Sequence, residues 1–358
     1  MTDVYKRLAE KLDGLPNGFP ASESGVELKI LQRIYTPEEA EMALKLRPIP
    51  ETPEAISERL GIPLDELQPI LDNMVDKGQI GSAKMKGEQV YMVVPFVVGV
   101  FEFQLHRLDK EMVDLIEEYG PTLMRTVGEF APALLRVVPV NLQTKLEQQV
   151  LPYEDIAAMM EGGKAFQVVD CICRKESALR GKPCSHSTEV CLAFANHEGA
   201  FDKYAKGRVI SKQEALEILA KAEDEGLVHN TYNVRTGQMF VCNCCSCCCG
   251  IMRGVKEFKA PYLMAKSNFV AAIDQEACAA CGVCADERCP MEAIVEDNGS
   301  YKVLAERCIG CGVCTPTCPT DSIKLERRPE AAQTEPPNNI VEWYFQRAAN
   351  RGIQLRID

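Results

Sequence analysis

The 358-residue chain has no apolar segment long enough to span a bilayer, and its first 170 residues contain no cysteine. The most apolar run, Val93 to Phe101, is about half the length that a transmembrane helix needs and is interrupted by Pro95. The N-terminal sequence MTDVYKRLAEKLDGLP lacks the apolar core of a signal peptide. These absences argue against a membrane-spanning or secreted protein, and we expect a cytoplasmic one.

The common motifs of nucleotide and acyl-transfer chemistry are also missing. The sequence has no Walker loop, no GxGxxG after a strand, and no defensible Ser-His-Asp pattern. The formal net charge of −12 argues against a general affinity for nucleic acid, because phosphates attract a basic surface. The chain therefore offers no site of its own for nucleotide, flavin or hydride chemistry.

Cysteine is concentrated in the second half of the chain. The 18 cysteines form three groups, which run from Cys171 to Cys191, from Cys242 to Cys249 and from Cys278 to Cys318. A secreted disulfide scaffold is usually much shorter than this chain. Clustered thiols without a signal peptide are typical of metal ligands in a reducing compartment.

The third group contains two similar runs of four cysteines, each ending in Cys-Pro. Three thiolates spaced by two residues can surround a cube-shaped cluster within one loop, whereas the fourth ligand must come from elsewhere. Zinc is the alternative, but it typically takes pairs of Cys-x2-Cys with longer spacers, so two triplets do not fit one tetrahedral ion. The runs are Cys278-x2-Cys281-x2-Cys284-x4-Cys289-Pro290 and Cys308-x2-Cys311-x2-Cys314-x3-Cys318-Pro319.

Residues 266 to 327, which contain both runs, resemble the bacterial two-cluster ferredoxin family. The second run has that family's spacing, and the first has one additional residue before Cys289. The resemblance implies two [4Fe–4S] clusters with crossed ligation, in which the last cysteine of each run binds the cluster of the other. The implied sets are Cys278, Cys281, Cys284 and Cys318 for one cluster, and Cys308, Cys311, Cys314 and Cys289 for the other.

A subset of the other ten cysteines is predicted to bind at least one further iron–sulfur cluster. Such dense thiols would oxidise or cross-link if free, and soft thiolates favour iron–sulfur clusters. Zinc and structural thiols are the alternatives, and no spacing rule selects the ligands. His186 is a possible ligand, while Arg174 and its basic neighbours either stabilise thiolate charge or form a solvated loop. The candidates are Cys171, Cys173, Cys184, Cys191, Cys242, Cys244, Cys245, Cys247, Cys248 and Cys249.

The first 99 residues are predicted to form a helical, winged-helix-like domain. A helix is expected over Thr36 to Leu46, two more follow Pro53, and two strands surround Lys86-Gly87. The usual function of this arrangement is DNA binding through its second helix. Between Glu51 and Phe96, however, eight acidic residues outnumber four basic ones, so a structural or protein-docking role is preferred.

Residues 100–265 are predicted to form a cysteine-rich α+β domain. Residues 100–165 are expected to be mostly helical, with amphipathic stretches at Met112 to Tyr119 and Leu123 to Val137. A buried strand should lead into Cys171. A helix at Ser211 to Glu225 should precede a hairpin whose second strand leads into the second cysteine group. Together with the ferredoxin-like domain at 266–327, the chain is predicted to be an α+β protein.

Residues 328–358 are predicted to be a linker followed by a C-terminal docking segment. The composition of Glu326 to Asn339 is that of a linker, and the segment beyond it holds Trp343, the only tryptophan. This aromatic segment either docks on a partner or packs back on its own chain. The sequence does not separate these alternatives.

The main functional hypothesis is an electron-transfer protein that relays single electrons to or from an oxidoreductase complex in anaerobic metabolism. Its acidity fits docking on a basic patch of a redox partner. The resemblance to ferredoxins implies such partners, and the whole chain loosely resembles uncharacterised ferredoxin-like proteins of anaerobes. The alternatives are a reductase with an iron–sulfur active site in residues 171–249, and a redox-sensing regulator.

Overall fold

The computed structural model describes residues 2–85, 87–140, 150–203 and 206–355 of the chain. Helices dominate its first part, and mainly antiparallel strands dominate the part that carries the cysteines, so the predicted α+β class is confirmed. Within these ranges, none of the helices combines the length and the apolar character that crossing a membrane requires.

The N-terminal region is helical and ends in a hairpin. The predicted helix after Thr36 begins with a capping box, in which the Thr36 hydroxyl accepts from the Glu39 N–H and the Glu39 carboxylate accepts from the Thr36 N–H. Its elements are α1 (Thr2–Asp13), α2 (Val26–Ile34), α3 (Pro37–Lys45), α4 (Pro53–Leu60), α5 (Leu64–Asp76), β1 (Gly81–Met85) and β2 (Glu88–Met92).

This element order is the one on which the winged-helix prediction depends. The two strands pair in an antiparallel register with Gly81 opposite Met92, and Glu51 forms an isolated bridge to Tyr91. Of the predicted turn residues, Lys86 lies outside the described residues. The winged-helix interpretation and the protein-docking role stay predictions.

A seven-stranded sheet forms the centre of the cysteine-rich part of the chain. Its strand order is β6-β4-β5-β8-β7-β3-β9, and all neighbours are antiparallel except β3 and β9. The predicted hairpin is present as β7 and β8, and α8 and α10 follow cysteines directly. The elements are α6 (Lys110–Val127), β3 (Leu135–Val138), α7 (Ile156–Met160), β4 (Ala165–Asp170), α8 (Ile172–Leu179), β5 (Glu189–Ala195), β6 (Arg208–Ile210), α9 (Lys212–Asp224), β7 (Val228–Tyr232), β8 (Phe240–Cys244), α10 (Gly250–Glu257) and β9 (Met264–Ala265).

The expected helical stretch from Leu123 to Val137 is wrong in its second half. Helix α6 ends at Val127, and the chain reappears as strand β3, whose four residues are all buried. Because all four residues of β3 are buried, the strand is covered on both faces and lacks the alternation of a half-exposed strand. Periodicity cannot distinguish such a short run from a helix turn.

The ferredoxin-like region packs against the sheet through polar contacts as well as apolar ones. The Val140 N–H donates to the Cys311 carbonyl over 3.0 Å. The buried Glu154 carboxylate accepts from the Arg327 guanidinium over 2.9 Å and from the Asn268 amide over 3.0 Å. Its strands form two antiparallel pairs, β10 (Phe269–Ile273) with β13 (Ile323–Arg327) and β11 (Ile294–Asp297) with β12 (Ser300–Val303).

The C-terminal helix α11 (Ile340–Arg351) packs on the rest of the chain through Trp343 and Arg347. The Trp343 side chain is fully buried, and its indole N–H donates to the Ala133 carbonyl over 2.8 Å. The segment before α11 also contacts the chain, because the Arg235 N–H donates to the Pro337 carbonyl over 2.9 Å. Phe345 remains 54% exposed, so a docking role for this outer face stays a prediction.

Replacing Trp343 with alanine should lower the free energy of unfolding by about 3–5 kcal/mol, because the change leaves a large cavity and an unpaired carbonyl. Phe345→Ala on the exposed face of the same helix should change it by about 0.5 kcal/mol or less. Urea denaturation followed by circular dichroism measures both. Equal losses in the two variants would contradict the packing of α11 described above.

Candidate iron-sulfur centres

The first cavity of the ferredoxin-like region is lined by four thiols from both cysteine runs. Three come from the loop after β10, and the fourth comes from the end of the second run. Apolar side chains of Ile273, Val283 and Ile323 complete the wall, and the cavity encloses about 340 Å³ including its mouth. Its cysteines are Cys278, Cys281, Cys284 and Cys318.

The second cavity repeats the first with the roles of the two runs exchanged. It encloses about 330 Å³, and Met291, Ile309 and Val313 supply its apolar wall. Its cysteines are Cys289, Cys308, Cys311 and Cys314. The two cavities thus group the eight thiols as the crossed sets that the ferredoxin resemblance implies, while the ligation itself stays a prediction.

Both cysteine loops have the same backbone conformation. Gly310 has φ +70°, and a Cβ atom there would lie 2.1 Å from the Phe269 carbonyl oxygen, so only glycine fits. Ala280 occupies the matching position of the first loop, with φ +51°. Gly282 and Gly312 match as well, with φ values of +80° and +77°. These left-handed positions allow each loop to fold its three cysteines around one cavity.

The additional residue of the first run is accommodated by a wider helical turn. Residues Cys284–Arg288 form a single π-helical turn, a form that commonly accommodates one inserted residue. The Ala285 and Asp286 N–H groups both donate to the Gly282 carbonyl over 2.9 Å. The insertion changes the loop before Cys289 but leaves this thiol in the wall of the second cavity.

The two cavities differ in exposure. Cys281 is exposed in the first, whereas Cys308, Cys311 and Cys314 of the second are buried. Burial raises the pKa of Cys311 to about 12. Burial also raises the pKa of Cys318, but hydrogen bonds from Ser322 and Thr320 outweigh it and lower that pKa to about 7. Four thiols in an apolar wall require a positive partner to ionise together, and metal ions of a cluster supply that charge.

Four of the ten remaining cysteines form a compact group. The Cys184 Sγ lies 3.8 Å from the Cys245 Sγ and 3.6 Å from the Cys247 Sγ, and the Cys247 and Cys248 Sγ atoms are 3.7 Å apart. All four sulfurs lie within 4.8 Å of one another. The His186 Nδ1 lies 3.1 Å from the Cys184 Sγ, so this histidine borders the group.

The other six cysteines form a closed ring of interacting thiols. Cys242 and Cys244 share a face of β8, and Cys191 lies in β5 one position beyond the Leu192–Val241 pair. Cys171 and Cys249 are the N-cap residues of α8 and α10. Each thiol interacts with two neighbours, in the order Cys171, Cys173, Cys249, Cys244, Cys242, Cys191 and back to Cys171.

The ring separates its thiols into strong and weak acids. Hydrogen bonds from Cys173 and Cys191 lower the pKa of Cys171, and those from Cys173 and Cys244 lower the pKa of Cys249. The same contacts raise the pKa of Cys173. Crowded like charges cannot all ionise without a compensating cation. The ring is therefore suited to a metal centre that supplies several positive charges.

Arg174 is buried between the two groups of thiols, as one of the two sequence interpretations expects. Its guanidinium donates to the Ser187 and Asn243 carbonyls over 2.6 and 3.0 Å. Burial lowers its pKa, but the charges of Cys171 and Cys245 outweigh this and raise it above its usual value. The arginine thus remains a cation that stabilises thiolate charge on both sides.

A buried polar chain on the face of β8 opposite to Cys242 and Cys244 was not expected from the sequence. The Asn243 amide donates to the Val190 carbonyl over 2.6 Å, so its oxygen faces the His229 Nδ1 at 2.5 Å. The His229 Nε2 lies 3.1 Å from a Glu223 carboxylate oxygen. The histidine therefore faces an oxygen at each ring nitrogen. No local pattern indicates the contact with Asn243, because sheet register brings it opposite His229, while Glu223 approaches from α9.

Comparisons with known proteins match short stretches of the chain. Residues 279–328 match the family described as the LdpA Fe-S cluster-binding domain. Ferredoxin-1 of Caulobacter vibrioides is 40% identical over 45 residues, which are 13% of this chain and 40% of that protein. Ferredoxin of Streptomyces griseus is 38% identical over 40 residues, covering 11% and 38% of the two chains.

A third relative carries the name of an enzyme. Dihydromethanopterin reductase (acceptor) of Methanosarcina mazei is 43% identical over 54 residues, which are 14% of this chain and 23% of that protein. No solved structure matches. The chain thus spans less than half the length of each of these relatives. The matches and the cysteine cavities establish an iron–sulfur, ferredoxin-like region.

Cys318→Ser and Cys289→Ser should each impair one ferredoxin-like centre and leave the other. If the sets are crossed, each variant should lose up to about four of the eight irons expected for two cubes, with an equal loss of labile sulfide. EPR of the reduced variants should show which signal remains. The same EPR signal lost in both variants would contradict crossed ligation.

Ser322→Ala should lower the reduction potential of the centre that Cys318 ligates. The Ser322 Oγ lies 3.2 Å from the Cys318 Sγ, and its hydrogen bond stabilises the more negative, reduced state. A bond of about 0.5–1.5 kcal/mol corresponds to about 20–60 mV for one electron. Redox titration followed by EPR measures the shift. Ser300→Ala, whose hydroxyl donates to Gln275, is the matched control and should leave the potential unchanged.

Proposed function

We propose that the protein is an electron-transfer protein that relays single electrons to or from an oxidoreductase complex of anaerobic metabolism. Two [4Fe–4S] clusters in the ferredoxin-like cavities would supply the one-electron chemistry. The observation that carries the proposal is the pair of four-thiol cavities, one with an exposed Cys281 and one in which three of the four thiols are buried. An exposed and a buried centre in succession suit transfer between a partner and the interior.

A further iron–sulfur cluster in the middle part of the chain would extend this route. We assign it to the six-thiol ring, because the ring is the larger of the two groups and its thiols are buried or half-buried. A single cube needs four ligands, so the ring offers two more thiols than one cube requires. The beginning of α8 at Cys171 and the beginning of α10 at Cys249 hold the ring between them.

Contacts between the two parts support a continuous route. The Arg288 side chain, next to Cys289, donates to the Val313, Asp224 and Glu223 carbonyls over 3.0, 2.8 and 3.0 Å. The Glu223 side chain contacts His229, which in turn contacts Asn243 of β8, the strand that carries Cys242 and Cys244. A side-chain ion pair also joins Lys256 of α10 to Glu292, three residues after Cys289. These contacts join the ferredoxin-like region to α9 and α10 of the part of the chain that carries the ring.

The surface around the first cavity is suited to a basic redox partner. Exposed carboxylates of Asp274, Glu276, Asp286 and Glu287 surround the loop that carries Cys281. Their charge adds to the overall charge of −12. Complementary charge raises the rate of encounter more than it raises affinity. We therefore infer that the first cavity is the docking end of the relay.

The alternative is a reductase whose iron–sulfur active site lies in the ring. One observation favours it as the second candidate: the ring has two thiols beyond the needs of a cube. One relative of the ferredoxin-like segment is named as a reductase. The redox-sensing regulator receives no such support, since the N-terminal region is acidic.

Measuring electron transfer to a protein acceptor distinguishes the relay from the reductase. Photochemically reduced, anaerobically purified protein is mixed with cytochrome c, a basic one-electron acceptor, and reoxidation is followed by stopped-flow absorbance and EPR. A relay should deliver its electrons one at a time without any small molecule. Delivery that needs a small molecule, or an EPR signal that such a molecule shifts, would instead establish the reductase.

The rate of transfer to cytochrome c should fall as ionic strength rises. Exposed charges are screened over about 10 Å at 0.1 M salt, so steering by the acidic rim weakens. The double variant Glu276→Gln/Glu287→Gln should reduce both the low-salt rate and its salt dependence. Glu54→Gln/Glu58→Gln on α4, which changes the net charge equally, is the control. Equal effects of both pairs would argue against docking at the first cavity.

A further inference from the structure

We propose that Cys184, Cys245, Cys247 and Cys248 bind a single divalent metal ion in a tetrahedron of thiolates, and not an iron–sulfur cube. This site is separate from the six-thiol ring and from both ferredoxin-like cavities. It goes beyond the electron relay, which does not require it. The argument rests on the distances between the sulfurs, on the groups around them and on the loops that they join.

The spacing of the four sulfurs is that of a mononuclear site. A metal–sulfur bond of about 2.3 Å in a regular tetrahedron separates the sulfurs by about 3.8 Å. Three of the sulfur pairs are 3.6, 3.7 and 3.8 Å apart, and all four sulfurs lie within 4.8 Å of one another. A cube places four irons and four sulfides between its ligands, so its thiolates must stand further apart.

The ferredoxin-like cavities provide an internal comparison. All 18 cysteines lie in the described ranges, and among these residues only the Cys184 group brings three or more potential ligand atoms within 4.8 Å of one another. The eight cysteines of the two larger cavities are therefore more widely spaced. The same chain thus contains two kinds of four-thiol site, one wide and one narrow.

Polar groups around the narrow site are placed to stabilise negatively charged sulfur. The His186 Nδ1 contacts the Cys184 Sγ, and the Arg174 guanidinium interacts with Cys245. Cys247 is the exposed member and faces water. Four thiolates with a divalent ion carry a net charge of about −2, and the arginine offsets part of it.

The ion would join two loops that lie far apart in the sequence. Cys184 lies between α8 and β5, whereas the other three lie between β8 and α10. Cys244 and Cys249 of the six-thiol ring flank these three directly. Binding an ion here would fix the loop that presents two ring thiols. The site is closed by four protein ligands, which is the form of a structural metal site rather than a catalytic one.

The test uses the full chain purified anaerobically. Zinc, iron and labile sulfide are quantified, and X-ray absorption at the zinc edge and Mössbauer spectroscopy identify mononuclear metal. We expect about one zinc per chain with four sulfur neighbours at about 2.3 Å, or one iron with the Mössbauer spectrum of a lone tetrahedral thiolate site. Either metal supports the proposal, and the two methods distinguish them.

Cys184→Ser should remove that one metal ion and leave the labile sulfide unchanged, while Ser185→Ala in the same exposed loop should retain both. If Cys184→Ser does not fold, the wild-type spectra alone decide. The proposal is overturned if the wild type contains no mononuclear metal and its iron is matched one to one by sulfide. If the wild-type protein lacks the ferredoxin-type EPR signals, that result counts against the relay function but does not affect the proposed mononuclear site.

Discussion

Repulsion between crowded thiolates is the constraint on which the cysteine-containing part of this protein depends. Eighteen thiols are folded into four groups, and no group can ionise fully in its apolar surroundings without added positive charge. The chain itself supplies little of that charge near the sulfurs, apart from Arg174 between two of the groups. Metal ions therefore contribute to the stability of the fold as well as to its chemistry.

The seven-stranded sheet converts distant cysteines into groups by its register. The antiparallel pairing of β5 with β8 sets Cys191 beside Cys242, and alternation along β8 adds Cys244. Helices α8 and α10 then begin at Cys171 and Cys249, and their first N–H groups point toward these sulfurs. Two strands and two helix starts thus assemble the ring, while the loops between them form the narrow site.

Local spacing predicted the ferredoxin-like part well, because each loop of three cysteines is determined by a few neighbouring residues. The same reasoning failed for the ten other cysteines, whose grouping depends on strand pairs separated by about 50 residues. Strand β3 was mistaken for helix for a related reason, since burial on both faces removes the alternation that marks a strand. The contact of Asn243 with His229 is also invisible locally, because register alone creates it.

The two ferredoxin-like cavities differ in features that set the reduction potential of a bound cluster. Solvent and hydrogen bonds to sulfur both stabilise a reduced cluster, and the first cavity has an exposed Cys281 and the Ser322 hydroxyl beside Cys318. In the second cavity, Cys308, Cys311 and Cys314 are buried. If both cavities held the same cluster, its reduced state would be more stable in the first, and in the proposed relay an electron would gain energy on moving inward. The proposed relay would then need an acceptor beyond the second cavity, and the six-thiol ring is the candidate group.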